Sequence, residues 1–188
     1  ENENDFKELT KIVYKEIKRI NVIIENFLIF AKPLPIKPEY FSISDFLNQL
    51  KLQYLQILKD KNISIDINLP NDLIVFWDKF QIKQVFINLF ENSIDAIKEN
   101  GLININVKYS DDKIEIRFSD NGKGMEEEIT DKIFNIYFTT KPNGNGIGLS
   151  IVQKIITEHN GIINLTSRVN EGTTFTIILP KEIEVNNG

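Results

Sequence analysis

Three prolines between residues 33 and 38, in the run KPLPIKP, set the strongest limit on this chain. Each lacks an amide donor and each favours extended backbone at the residue before it, so no helix or central strand runs through the stretch. The chain on either side must therefore be organised separately. Upstream, Phe6, Val13, Ile20 and Phe27 recur at heptad spacing, with Ile17, Ile24 and Ala31 at the interleaved positions and Lys, Glu, Arg and Asn at most others. The spacing predicts one long amphipathic helix over 1–32, about 48 Å at 1.5 Å per residue, which suits a bundle or coiled coil better than a compact domain. Residues 33–40 then read as a linker between two domains.

Downstream the hydrophobic period switches repeatedly. Ser44 or Asp45 can cap a helix carrying Phe46, Leu47, Leu50, Tyr54 and Leu58, and alternation around Ile63, Ile65, Ile67 and Leu69 predicts a strand. A short strand over Leu73–Trp77 leads to Asp78, the expected cap of a helix reaching about Asn100, with Gly101 as its stop. Strands over 102–109 and 113–119, joined by a turn at Asp111 and Asp112, precede a polar stretch rich in glycine. A helix after Gly148 and strands over 162–168 and 173–179 close the pattern. Helices interleave with strands, yet hairpins occur in both halves, so the expected fold is α+β: a mixed sheet with helices on one face, two layers, preceded by the long helix.

Composition narrows the chemistry. The 188 residues, 41% apolar and 26% charged, suffice for one good core. A net charge of −5 argues against a nucleic-acid footprint. Without cysteine and with a single histidine, the chain has no disulfide framework, thiol nucleophile or zinc cluster. No apolar run approaches the roughly 20 residues a membrane helix needs, and no signal peptide opens the chain, so the expected location is cytoplasmic, leaving a longer parent free to be membrane-anchored.

Three segments carry the chemistry. On the helix from Asp78, Asn88, Asn92 and Asp95 fall on one stripe beside apolar neighbours. Such side chains either face water or supply hard oxygens to magnesium, which takes one or two protein ligands and completes its shell with water and phosphate. At the exit of the strand ending at Ser119 stands Asp120, followed by Gly122 and Gly124. Asp-Asn-Gly is common turn chemistry, and a carboxylate there can equally accept from an exocyclic amine while the glycines admit a flat ring. Finally, Gly144, Gly146 and Gly148 alternate directly before a helix, either as a loose loop or as a set of amides converging on an anion at the helix start. The spacing matches neither the phosphate loop G-x-x-x-x-G-K-[ST] nor the dinucleotide G-x-G-x-x-G.

In order, NLFENSIDA (88–96), DNGKGM (120–125), IFNIYFTTK (133–141), GNGIGLSIVQKI (from Gly144) and EGTTFTIILP (171–180) resemble the N box, first glycine box, F box, second glycine box and closing G-T-x-F element of the sensor histidine kinase ATP-binding domain. The resemblance covers 41–181 and implies the Bergerat α/β sandwich. The leading helix is similar to the second helix of the dimerisation domain of nitrogen-regulator-type kinases, so it implies domains at 1–32, a linker at 33–40 and a catalytic domain at 41–188. The family pattern would make Asn92 the magnesium ligand and Asn88 a support for the phosphates. Asp120 would receive the adenine amine, with Gly122 and Gly124 beside the ring, Thr173 touching the base pocket and Met125 also in the nucleotide site. Gly144, Gly146, Ile147, Gly148 and Leu149 would wrap the phosphates. The segment 125–146 would be the ATP lid, with Lys141 a phosphate contact and Tyr137 and Phe138 its apolar anchors. Asn88 and Lys141 are then the catalytic residues of this chain, and Asp95 belongs to the nucleotide site.

Two departures qualify the resemblance. Many members carry Lys-Tyr after the magnesium asparagine, where this chain has Asp95 and Ala96. The phosphoacceptor motif, a histidine followed by an acid, is absent from the sequence, and His159 in EHNG falls at a helix end, where it is expected to be structural. The implied activity is transfer of the ATP γ-phosphate, with Mg2+, to a histidine on a dimerisation domain, for relay to a response regulator receiver domain by a homodimeric parent. Alternatives are a hydrolytic relative, for which Asn88 replaces the expected glutamate base, a serine-kinase anti-sigma factor, and an inactive nucleotide-binding interaction module.

Overall fold

The computed structural model describes residues 35–70, 73–110, 112–141 and 144–183, with scattered positions between Phe6 and Ile20. Those scattered positions are helical and their apolar side chains are exposed. The remainder of the helix expected over 1–32, the turn residue Asp111, and Pro142 and Asn143 of the expected lid lie outside the described residues.

The elements run β1 (Glu39–Ser42), α1 (Ile43–Asp60), β2 (Ser64–Asn68), β3 (Ile74–Trp77), α2 (Lys79–Ala96), β4 (Leu102–Ser110), β5 (Lys113–Asp120), α3 (Glu127–Thr130), α4 (Gly148–Glu158), β6 (Ile162–Arg168) and β7 (Gly172–Pro180). Five strands form one sheet in the order β2-β4-β5-β7-β6, with β2 parallel to β4 and the other pairs antiparallel. Along β4, β5 and β7, Ile103, Ile105, Ile114, Ile116, Phe118, Phe175 and Ile177 are buried, while Asn104, Asn106, Arg117 and Thr174 between them retain solvent contact. Period-2 alternation thus gives the sheet one apolar face. Phe86 and Phe90 of α2 meet Phe118 edge-on at 6.3 and 5.0 Å, so helix and sheet share one core. This is the expected mixed, two-layer α+β architecture.

The local differences have physical reasons. The cap of α1 is Ser42, not Ser44 or Asp45: its hydroxyl accepts from the Asp45 amide at 3.2 Å, which starts the helix with Ile43 in the core. The expected strand before Asp78 pairs outside the main sheet, with β1, whose Glu39 and Tyr40 fall in the stretch read as linker. The chain is tied down just before it: Ile36 packs on the core and the Lys37 amide donates to Asp78 Oδ2 at 2.9 Å. Helix α2 stops at Ala96, short of the expected Asn100. Its last carbonyls find partners elsewhere, Ile94 in the Lys61 ammonium at 2.6 Å and Ala96 in the Lys123 amide at 3.1 Å, and Ile97 turns into the core in extended conformation.

Asp78 joins three parts of the molecule. Its Oδ1 caps α2 through the Gln81 amide at 3.0 Å, and its own amide donates to Nε2 of His159 at 3.2 Å. His159 is fully buried at the end of α4, so the proton must sit on Nδ1, which donates to the Ile155 carbonyl at 2.8 Å. Burial pushes the imidazole pKa below its usual value, against weaker opposing effects of that carbonyl and of Asp78. The structural role expected for His159 is the one it has.

Candidate functional site

The sheet ends and α2 bound a cavity of about 980 Å³. Helix α2 contributes Asn88, Asn92 and Asp95 from one stripe, because four-residue spacing and its continuation keep side chains on one face while Val85, Phe86, Leu89 and Phe90 fill the core opposite. At the end of β5, Asp120 is 8% exposed and both its oxygens are held: Ser93 donates its hydroxyl to Oδ2 at 2.7 Å and the Gly122 amide donates to Oδ1 at 2.9 Å. Thr173 faces Asp120 across the β5-β7 pairing and bonds Ser167 through its hydroxyl at 3.0 Å. Gly124, Met125 and Leu149 line the same space, Met125 fixed by its amide donating to the Ser167 hydroxyl at 3.0 Å.

The glycine run closes another side. Gly146 has φ of +67°, and a Cβ there would collide with the Tyr137 backbone, whose amide donates to the Gly146 carbonyl at 2.9 Å. A Cβ on Gly148 would come within 2.5 Å of Asn88 Oδ1, so any larger residue there would push the Asn88 side chain out of its place. Asn88 is held in that position by donating its amide to the Gln84 carbonyl at 2.9 Å. No side chain caps α4, which leaves backbone amides of its first turn and the positive end of its dipole facing the cavity wall formed by Gly148 and Leu149.

Lys141 crosses from the glycine-rich segment to α2. Its ammonium donates to Asn92 Oδ1 and to Asp95 Oδ2, both at 2.7 Å. Asn92 Oδ1 and Asp95 Oδ2 are both oxygens, the ligand type that a hard cation prefers, and in this structure both are taken by the ammonium.

The structure brings together on the cavity all but two of the residues expected there. Gly122 is buried beside it, acting through its amide on Asp120, and a Cβ at 122 would come within 2.8 Å of Ala96 Cβ. Ile147 is core, 5% exposed, and stands at the cap of α4 without lining the cavity. Of the two expected apolar anchors, Phe138 lines the cavity half-buried, but Tyr137 points outward, 68% exposed at φ of +69°, because its backbone is spent against Gly146. Sequence reasoning missed Ser93, whose position one residue after Asn92 on the core side of α2 was the available signal. It also missed Glu91 and Lys123 on the rim. Beneath Glu91, Tyr54 stacks on Phe90 at 5.1 Å, and burial together with that carboxylate pushes its phenol pKa up to about 12, so it stays neutral.

Residues 77–183 match the family model described as histidine kinase-, DNA gyrase B-, and HSP90-like ATPase. Sporulation kinase B of Bacillus subtilis (strain 168) is 33% identical over 174 residues, which is 92% of this chain and 41% of that protein. The chain spans 34% to 42% of the length of the first curated relatives it matches. Among solved structures, the catalytic domain of histidine kinase ThkA superposes with a TM-score of 0.72 at 35% identity, over 78% of this chain and 97% of that one. ThkA in complex with response regulator protein TrrA gives 0.77 at 31% identity, over 90% of this chain and 49% of that one.

Proposed function

Because the chain belongs to the family of histidine kinase-, DNA gyrase B- and HSP90-like ATPases, we propose that residues 41–188 are the ATP-binding catalytic domain of a sensor histidine kinase. In this reading 33–40 is the linker and 1–32 the second helix of a dimerisation domain. The observation that carries it is Asp120: a buried carboxylate at a cavity wall, fixed by Ser93 and Gly122. Fixed acceptor lone pairs at that depth suit an exocyclic amine, and the uncapped start of α4 across the cavity suits phosphates.

Each residue then has a task in phosphoryl transfer, which depends on positioning and charge neutralisation more than on covalent help from the protein. Asp120 selects adenine, with Thr173 and Met125 against the base. The first amides of α4, kept close by Gly146 and Gly148, hold the phosphates, and Asn88 buttresses them. Asn92 is the proposed Mg2+ ligand, its Oδ1 already in the company of Asp95 Oδ2 and a cation. When bound, the metal neutralises charge on the phosphates. Lys141 supplies a further positive charge there. Asn88 carries an amide in place of a base, which disfavours activation of water and so hydrolysis. The acceptor has to be a histidine of a dimerisation domain, since His159 is sealed in the core with both ring nitrogens committed. Support for relay onward comes from the similarity to ThkA, whose complex with TrrA defines that protein's partner; a response regulator receiver domain and a homodimeric parent are the partners proposed here.

The test is incubation with γ-labelled ATP and Mg2+, with and without a separate dimerisation domain bearing an acceptor histidine. Acid-labile label is expected on that added domain and not on this chain. Label that His159→Ala abolishes from the chain alone would refute the assignment.

A further inference from the structure

Asn92 and Asp95 sit one turn apart on α2, and the pair is held by one side chain from the opposite wall of the cavity. Lys141 lies 49 residues from Asn92 and 46 from Asp95 in sequence, and its ammonium bonds both at 2.7 Å. Asp95 is 56% and Lys141 39% exposed at the side chain, so solvent can reach the bridge and exchange it. On the loop side the lysine is tethered near its own backbone, where the Lys141 amide donates to the Thr139 hydroxyl at 3.1 Å and the Gly144 amide donates to the Lys141 carbonyl at 3.1 Å.

We propose that Lys141 is a built-in competitor for the divalent cation: its ammonium holds Asn92 Oδ1 and Asp95 Oδ2, and a metal arriving with the nucleotide takes those oxygens and releases the lysine to the phosphates. The inference rests on the reading of the cavity as a site for ATP with a divalent metal. Its geometric basis is independent of that reading. The ammonium already occupies both acceptors, and a metal held by the same two oxygens would meet its like charge at short range, so the two compete for them. Exchange, rather than joint occupation, is the consequence. Asp95 is the residue that makes the exchange possible. Its carboxylate binds the Lys141 ammonium at 2.7 Å and is more than half exposed, so it is open to a competing cation. Lys141 therefore stays docked on α2 through the same atoms that take the metal, and metal binding and release of Lys141 become one event.

Two measurements test this. The first needs no nucleotide: amide hydrogen exchange in the peptide spanning 139–145, compared between the unaltered chain, Asp95→Asn and Lys141→Met. Both substitutions break the bridge and should speed exchange there about two- to fivefold, the range of an exposed ion pair, with the rest of the chain unchanged. The second is the Mg2+ concentration giving half-maximal affinity for a non-hydrolysable ATP analogue. Lys141→Met should lower that concentration about two- to fivefold, since the competitor is gone, even though affinity at saturating Mg2+ falls with the lost phosphate contact. In the Asp95→Asn background the same substitution should shift the midpoint less than in the unaltered chain. An Mg2+ midpoint that stays or rises in Lys141→Met, or exchange at 139–145 that ignores Asp95→Asn, overturns the proposal. Failure of the unaltered chain to bind the analogue at all overturns instead the nucleotide reading, and the exchange experiment still decides whether the bridge holds the loop.

Discussion

Replacing Asp120 by asparagine separates recognition from folding. In the structure Oδ1 accepts the Gly122 amide and Oδ2 accepts the Ser93 hydroxyl. An asparagine keeps its carbonyl on the Gly122 amide, and the Ser93 hydroxyl can rotate to accept from the new Nδ2, so the count of internal hydrogen bonds is preserved. The negative charge is lost, and half of the acceptor surface offered to the cavity becomes a donor. A hydrogen bond to a charged group contributes about 1.5–3 kcal/mol against about 0.5–1.5 for a neutral one, and an amine left facing an amine costs about 1–3 kcal/mol. A net loss of about 1–3 kcal/mol corresponds to roughly 5- to 150-fold weaker ATP binding at 25 °C. Calorimetry with ATP should show this loss while the thermal midpoint without ligand stays close to that of the unaltered chain. Inosine triphosphate sharpens the test, because its ring carbonyl stands where adenine has the amine: discrimination between the two nucleotides should narrow in Asp120→Asn. Unchanged ATP affinity in a folded Asp120→Asn protein, or unchanged discrimination, would refute the adenine assignment.

Asn92→Ala should weaken ATP binding chiefly in the presence of Mg2+, since base contacts remain; equal losses with and without metal, read by calorimetry, would make Asn92 a structural residue. Gly148→Ala drives a Cβ into Asn88 Oδ1 and should reduce ATP affinity by about tenfold or more while adenosine, which has no phosphates, loses little; parallel losses would remove the phosphate role of the α4 start. His159 makes stability depend on pH. Its folded pKa is lowered by burial, so its contribution is complete above the ordinary value of 6.5 and declines as pH falls through the window beneath it, where the unfolded chain takes up a proton that the folded one refuses. The thermal midpoint should therefore drop between pH 7.5 and 5.5, and a His159→Gln protein should show a smaller drop, although it is less stable throughout because the Asp78 amide and the Ile155 carbonyl lose a shaped partner. An identical pH slope in the two proteins would show that other groups carry it.

Much of this protein is written in local pattern. Alternation at Ile103, Ile105 and Val107 and again at Ile114, Ile116 and Phe118 specifies strands with one apolar face, since a strand can bury only every second side chain. Asp78 announces the start of α2 because its side chain and the amide it caps lie three residues apart. The stripe of Asn88, Asn92 and Asp95 follows from helical period alone, and so does the proximity of the alternating glycines to the start of α4. The end of α2 was not legible, because its last carbonyls are satisfied by Lys61 and Lys123, which no local rule connects to Ile94 and Ala96. Nor was the strand β1, four residues beside a proline, whose pairing with β3 is decided by where the rest of the core leaves an edge.

At the site the division is sharper. Sequence by itself determined which chemical groups are present and on which elements they ride, because helix and strand periods depend on neighbours a few residues away. Only the tertiary structure decided who meets whom: Ser93 with Asp120 across 27 residues, His159 with Asp78 across 81, Lys141 with Asn92 across 49. Those encounters depend on how α2, β5 and α4 pack against one shared core, and packing is a property of the whole set of buried surfaces at once, which no local period encodes.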